Sequence, residues 1–363
     1  MELFLSELSA RPVSWLSGIG PEPDVVVSTR IRLARNLRGF PFAARMNDDR
    51  AAELSEWVQS HLRSDPATAG LRFVQLRRTT DVCRDVLLER FLISRELAES
   101  RHDRGVAFDE SEIVSIMIHE EDHLRLQTLR AGFDLDGAFR EMLTLDRSLE
   151  KVLEYSFSDE FGYLTSCPTN VGTGLRVSVM LHLPALVTVS RELKKVFNVA
   201  NRLNLAIRGL HGEGTQASGA FFQMSNQITL GRTEREILED LGNVISEVVE
   251  YERRVRAELF DEKGSELQKK IEAAQELLRS GRPVALEPAL AALSVVLFGV
   301  SGERVPLARR GELLRLLVWI CPGHLQAAAG HRLQPAEIDR ERGSLLRRHF
   351  ENTKNENSSA GAS

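Results

Sequence analysis

Cysteine is scarce in this chain, with three in 363 residues, at positions 83, 167 and 321. An odd, widely spaced set makes no disulfide framework and points to a reducing compartment. Long apolar runs are missing as well, and nothing approaches the ~18 residues of a membrane span. The opening MELFLSELSARPVSWL carries Glu2 and Glu7 and no basic start ahead of an apolar stretch, so no secretory signal is expected. Strong charge of one sign is absent too. A net charge of −5 argues against a general nucleic-acid coat while leaving room for local basic clefts. The glycine cradles for phosphate are lacking: no Gly-Lys pair occurs anywhere, and no GxGxxG fingerprint. A nucleotide, if one binds, must have its phosphates neutralised by side chains. The expectation is a cytoplasmic protein with neither a membrane nor a direct nucleic-acid partner.

What is present describes an ordinary globular chain, 42% hydrophobic and 27% charged. Its length suits one large domain plus a smaller one. The stretch 165–184, TSCPTNVGTGLRVSVMLHLP, organises the rest. Leu175, Val177, Val179, Leu181 and Leu183 alternate with Arg176, Ser178 and His182, the mark of a half-buried strand that aims Arg176 away from the core. Residues 24–33 read as a strand with Arg30 and Arg32 on one face, and further strands are expected at 71–78, 113–118, 203–208 and 221–230. If the extended register continues past 118, Glu121, His123, Arg125 and Gln127 share a face. Helical spacing marks 48–62 and 82–98. Thr233 and Glu236 form a capping box before a helix reaching about residue 260, and Ser265 with Gln268 makes a second cap. Residues 1–23 read as irregular, 265–350 as all-helical, and 351–363 as a polar tail without order.

Four strand segments therefore offer arginine on a polar face: Arg30 with Arg32, Arg125, Arg176 and Arg208. Any one of them alone is surface charge. Several converging on one sheet face suggest a polyanion held by charge-assisted hydrogen bonds. Two carboxylate sites stand beside them, Glu120-Glu121-Asp122 and Glu213 in the loop GLHGEGTQASG. Spacing leaves open whether these are plain salt bridges or an anchor for a cationic acceptor, one carboxylate taking its proton. Cys167, on its own, reads more often as a packed small residue than as a reactive thiol. His119-Glu120-Glu121-Asp122-His123 matches H-E-x-x-H, but that zinc motif needs a helix, and here it follows the β-rich EIVSIMI. No metal is assigned to it.

STRIRLARN at 28–36, EEDHLRLQ at 120–127, SCPTNVGTGLRVSVMLHLP at 166–184, and RGLHGEGTQASG with SNQITLG behind it resemble the phosphagen (guanidino) kinases, and among them the bacterial protein arginine kinases. The resemblance covers residues 24 to about 256. It implies an α+β fold, a curved antiparallel sheet flanked by helices, with an all-helical C-terminal domain. It implies ATP-dependent phosphorylation, with Mg²⁺, of a guanidinium nitrogen on protein arginine, in bacterial stress response and protein quality control. By matching position, Ser28, Thr29, Arg30, Ile31, Arg32, Arg125, Arg176, Val177, Ser178, Val179, Met180, Arg208, Gly209, Leu210, His211, Gly212 and Glu213 would form the nucleotide site. Glu121 matches the catalytic carboxylate, Glu213 would hold the acceptor guanidinium, and Cys167 matches the active-site cysteine.

The implied division is a catalytic domain at 1–256, a helical dimerisation and regulatory domain at 257–350, and a tail at 351–363. The metabolite kinases carry a helical domain ahead of the STRIR-like block, and its absence here suits an arginine on a protein. Implied partners are protein substrates with accessible arginine, a second copy of the chain and an activator protein. Departures from the family pattern are His119 in place of asparagine, Phe91 in place of histidine near the nucleotide, and Ile338 in place of the first arginine of a C-terminal phosphoarginine-sensing motif. Asp339 and Arg342 of that motif remain, but isoleucine makes no bidentate phosphate contact, so stimulation by phosphoarginine is expected to be weak or absent. The rival expectations are a kinase of free arginine or another small guanidine, and a non-catalytic protein that binds phosphoarginine or arginine.

Overall fold

The computed structural model describes residues 2–99, 104–209, 218–306 and 310–360. Its strands arise where side-chain alternation has period two. They are β1 (Val26–Arg35), β2 (Arg72–Gln75), β3 (Gly105–Phe108), β4 (Val114–Ile118), β5 (Leu124–Ala131), β6 (Phe157–Ser158), β7 (Gly162–Tyr163), β8 (Leu175–His182), β9 (Leu205–Gly209) and β10 (Phe221–Asn226). Eight of them form one antiparallel sheet in the order β2-β3-β4-β5-β1-β8-β10-β9, and β6 and β7 make a separate small hairpin.

The helices are α1 (Glu2–Ala10), α2 (Asp48–Ser64), α3 (Asp81–Glu89), α4 (Arg95–Glu99), α5 (Leu135–Glu150), α6 (Pro184–Thr188), α7 (Ser190–Arg202), α8 (Glu234–Arg279), α9 (Leu286–Ser301), α10 (Arg310–Trp319), α11 (Pro322–Ala329) and α12 (Pro335–Ala360). Side chains start several of them. Asn47 accepts from the Arg50 N–H ahead of α2, Asp134 from Gly137 ahead of α5, and the Thr233–Glu236 capping box opens α8.

One sheet face is apolar. Ile31, Leu33, Leu126, Val177, Val179 and Leu181 meet Leu54 and Val58 of α2, Met142 of α5 and Leu241 and Ile245 of α8 in the main core. Each such side chain, fully buried, contributes ~1.5–3 kcal/mol. The opposite face is polar at one end and covered at the other. There Val27, Leu129, Met180 and Phe221 join Trp15 and Leu16 and the apolar sides of α9, α10 and α12 in a second core. The C-terminal helices thus seal one end of the polar face and leave the other end open.

Several expectations give way to long-range contacts. The N-terminal segment is helical over Glu2–Ala10, and its Leu8 is buried beside α3. The helix expected over 82–98 is two helices, separated by Phe91 at φ 60°, where Arg90 turns inward to meet Glu112. The second cap at Ser265 is not used: α8 runs on to Arg279, bent at Lys263 (φ −130°, ψ 23°). α12 continues to Ala360, into the segment expected to lack order, as extending a formed helix needs no new nucleus. The extended register expected past Ile118 stops in a turn at 119–123, closed by His119 N–H donating to His123 O (2.8 Å).

Candidate active site

The sheet register gathers the arginines. In β1, Arg32 lies opposite Arg176 of β8 on one side and Gln127 of β5 on the other, while Ala34 faces Arg125. Arg208 reaches the same face from β9, opposite Gln223. Like charges directly opposite in a sheet cost up to ~1 kcal/mol per pair, and no carboxylate answers Arg30, Arg32 or Arg176 by a salt bridge among the described residues. Burial, then the neighbouring Arg176 and Arg125, lowers the Arg30 pKa to about 9. Burial and the surrounding arginines push Arg32 well down, and burial with Arg208 and Arg125 lowers Arg176. Each keeps its charge at a cost that a bound anion relieves. The Nε atoms of Arg32 and Arg176 are buried with no hydrogen-bond partner among the described residues. Arg30 is held ready by Gln223 Oε1 (2.8 Å) and Ser178 Oγ (3.3 Å), with Phe91 5.6 Å beneath its guanidinium.

The turn between β4 and β5 brings in the acids. Glu120 is buried and accepts both Arg125 Nη1 (2.5 Å) and the Glu121 N–H (2.9 Å). Glu121 stands 3.5 Å from Arg125 Nη2, so it meets that arginine through the turn and not as a strand neighbour. Burial raises the Glu121 pKa above the usual 4.5, Arg125 opposes, and Asp122 and Glu120 add to the rise. Asp122 Oδ1 accepts from Asn36 Nδ2 and from the Ser166 N–H, both at 2.7 Å. One carboxylate therefore ties the Glu121 turn, the end of β1 and the loop before Cys167. Cys167 Sγ lies 3.0 Å from Thr169 Oγ1.

These pieces close around a cavity of about 240 Å³ lined by Arg32, Arg125, Arg176, Arg208, Glu121 and Cys167, with Thr169, Asn170 and Gly174 along its wall. Four guanidinium groups and one carboxylate with a raised pKa suit a highly charged anion meeting a proton-bearing cationic group. The H-E-x-x-H residues sit in the turn and not on a helix. His123 is committed to structure, Nδ1 accepting from the Leu37 N–H (2.9 Å) and Nε2 donating to Pro41 O (2.8 Å).

Not every expected site residue comes to this cavity. Ser178 supports Arg30, and Ser28 and Met180 line a small hollow beyond it, with Trp15 and Phe91. Ile31, Val177 and Val179 turn their side chains into the main core. Thr29 donates to Gly132 O (2.7 Å), away from the arginines. Gly209 is buried at the end of β9. Leu210, His211, Gly212 and Glu213 lie outside the described residues. Residues that the sequence reading missed are Asn36, Gln223, Ser225 and Asn226. Ser225 Oγ accepts from Arg176 Nη2 (3.2 Å), and Asn226 caps the β8 strand start at the Val177 N–H (2.8 Å). Alternation along 221–226 could have flagged Gln223 and Ser225 as polar-face residues.

A family model described as ATP:guanido phosphotransferase, C-terminal catalytic domain, matches residues 53–255. A second, Protein-arginine kinase McsB C-terminal domain, matches residues 264–361. A protein-arginine kinase of Desulforamulus reducens is 39% identical, covering 97% of this chain and 99% of its own length. Those of Halothermothrix orenii and Moorella thermoacetica are 40% and 41% identical, covering 92% and 93% of this chain and 95% and 97% of theirs. Among solved structures, a lombricine kinase superposes with TM-score 0.58 at 24% identity, over 69% of this chain and 71% of that one. The duplicated taurocyamine kinase of Schistosoma mansoni, with transition-state-analogue components bound, gives TM-score 0.58 at 24% identity, over 76% and 40%. At that identity the two structures speak for a common fold alone.

Proposed function

The chain belongs to the ATP:guanido phosphotransferases, among the protein-arginine kinases, and from that premise we propose that the arginine-lined cavity transfers the γ-phosphoryl group of ATP to an arginine side chain of a protein. The observation that carries this is one cavity where unpartnered guanidinium nitrogens face a carboxylate of raised pKa. Arg30, Arg32, Arg125, Arg176 and Arg208 hold the triphosphate. Mg²⁺ would come with the triphosphate that these arginines hold, and would supply positive charge against that developing on the transferring group.

The substrate guanidinium is protonated and a poor nucleophile. Glu121 orients it and takes one N–H proton as the nitrogen lone pair attacks the γ-phosphorus. The new N–P bond forms as the bond to the β,γ-bridging oxygen breaks, and ADP leaves with that electron pair. The arginines stabilise charge on the phosphoryl oxygens, and in-line positioning supplies most of the rate. Glu213 anchors the acceptor guanidinium, and Cys167 serves as the active-site cysteine. Residues 1–256 act as the catalytic domain and 257–350 as a dimerising, regulatory one. The setting is the bacterial cytoplasm, in stress response and protein quality control, with a second copy and an activator protein as partners.

The test is mass spectrometry under non-acidic conditions, since an N–P bond is acid-labile. An unstructured basic protein is incubated with the full chain, ATP and Mg²⁺, beside a tube of free arginine. Phosphate on protein arginine with little on the free amino acid is the expected result. Phosphate on free arginine alone would make the chain a metabolite kinase.

A further inference from the structure

Four large apolar side chains are exposed on two segments hydrogen-bonded to the chain that walls the arginine-lined cavity: Phe157 (49% exposed), Phe161 (45%), Ile228 (46%) and Leu230 (50%). They are tied to one piece of chain. Tyr163 of the β6–β7 hairpin exchanges backbone hydrogen bonds with Gly172 (2.8 and 3.3 Å). From another side, Thr229 Oγ1 donates to Thr169 O and Val171 O (2.9 and 2.7 Å). A Cβ at Gly172 would come within 2.8 Å of Thr229 O, so all three strands of chain meet there without room for a side chain. Segment 167–174 supplies Cys167, Thr169, Asn170 and Gly174 to the cavity wall. It is thus braced by two supports, each tipped with exposed apolar groups. Two exposed apolar side chains on each of two segments bonded to one cavity wall are more than the scattered single ones that ask for no explanation. Asp159 and Glu160, exposed between the two phenylalanines, add negative charge.

An arginine entering the cavity drags its polypeptide with it. At ~3.3 Å per extended residue, the next two or three side chains must lie across the rim. We infer that the 157–161 hairpin and residues 228–230 form a docking rim for apolar side chains flanking the acceptor arginine in an extended segment of the substrate protein. The acidic hairpin tip complements the positive charge of such a segment, and the apolar groups on either side of it take its leucine-like or phenylalanine-like neighbours. The inference rests on the chain acting as a protein-arginine kinase.

Two arginine peptides of equal length and charge test it, one with leucine and phenylalanine flanks and one with serine and glycine flanks. Steady-state phosphorylation by the full chain with ATP and Mg²⁺ is expected to show a KM about tenfold lower for the apolar flanks, the ratio that ~1.4 kcal/mol of contact produces, with similar kcat. The double variant Phe161→Ser/Leu230→Ser raises the apolar peptide's KM to that of the polar one, with kcat and nucleotide affinity unchanged. Phe161→Leu keeps the preference. A wild-type chain that treats both peptides alike overturns the docking rim, whatever the variants do. So does a double variant that keeps the preference, or one that changes only the oligomeric state, which would assign the patch to contact between copies. Phosphate on neither peptide is a separate failure, of the kinase assignment itself.

Discussion

Glu121, the proposed base, stands among guanidinium groups that favour its ionised form. Burial outweighs Arg125 and leaves its pKa raised, with Asp122 and Glu120 adding their repulsion. The ionised carboxylate is the competent form, so kcat falls as pH drops through the raised value, and the acid limb lies above the 4.5 of an ordinary glutamate. Glu121→Gln is expected to lower kcat by ~10²–10⁴ and to remove that limb, while nucleotide affinity holds. A variant near the wild-type rate would refute the role. The arginines carry the opposite kind of tension. Arg32 faces Arg176 across two strands, and burial and its neighbours push its pKa down. Arg32→Met should therefore stabilise the ligand-free protein by about 1 kcal/mol, a rise of ~1–1.5 °C in Tm for a chain of this size. The same change should weaken ATP at least about tenfold, since a charge-assisted bond worth ~1.5–3 kcal/mol is lost. Calorimetry and nucleotide titration check the two signs together, and a variant losing both stability and affinity contradicts the account.

The turn at 119–123 shows what an element adds to its residues. His123 is fully buried and neutral, its pKa lowered from 6.5 to about 4 by burial. Between those values the unfolded chain binds the proton and the folded chain does not, so acid favours unfolding there. Protonation of Nδ1 also removes the acceptor of the Leu37 N–H and loosens the turn that carries Glu121. Relative to His123→Gln, the wild type should lose up to ~3 kcal/mol of stability as pH falls from 6.5 to 4, and nothing above 6.5. Equal pH dependence in the two chains would exclude it. Period-two alternation made the arginine strands legible in the sequence, because Arg30, Arg32 and Arg176 repeat against Ile31, Leu33 and Val177. The capping box of Thr233 and Glu236 was legible because it is complete within four residues. The break at Phe91 was not, since it depends on Arg90 finding Glu112, and Asn36 was not, since its partner Asp122 is 86 residues away. Local pattern reveals faces, and distant partners decide where elements stop.

At the scale of the molecule, the two regions matched by separate family models are not separate bodies. α8 passes from one to the other without ending, and its bend at Lys263 leaves it helical on both sides. Its second half, with α9, α10 and α12, covers Val27, Leu129, Met180 and Phe221 of the sheet. A polar joint accompanies this core. Glu89 of α3 accepts the N–H groups of Gly323 and His324 at the start of α11 (2.6 and 3.0 Å), and His324 Nδ1 stands 2.6 Å from the same carboxylate. Arg90, alongside, is fully buried on Glu112 and donates to Arg11 O (3.0 Å). Removing one partner of such a buried pair costs ~3–5 kcal/mol, because the other charge is stranded. Arg342 of the altered C-terminal motif belongs to this framework as well, donating to Ile320 O and Val284 O (2.8 and 2.7 Å) from a buried position, so its guanidinium is already spent on structure. Large apolar and ionic contacts shared between regions make their unfolding cooperative. The full chain should therefore unfold in one calorimetric transition. Glu112→Gln, which strands Arg90, should lower its Tm without splitting it. Two resolved transitions would mean that the helical region only leans on the sheet. One transition, lost altogether when the chain is cut after residue 256, would mean that the catalytic face exists only because the C-terminal helices cover its other end.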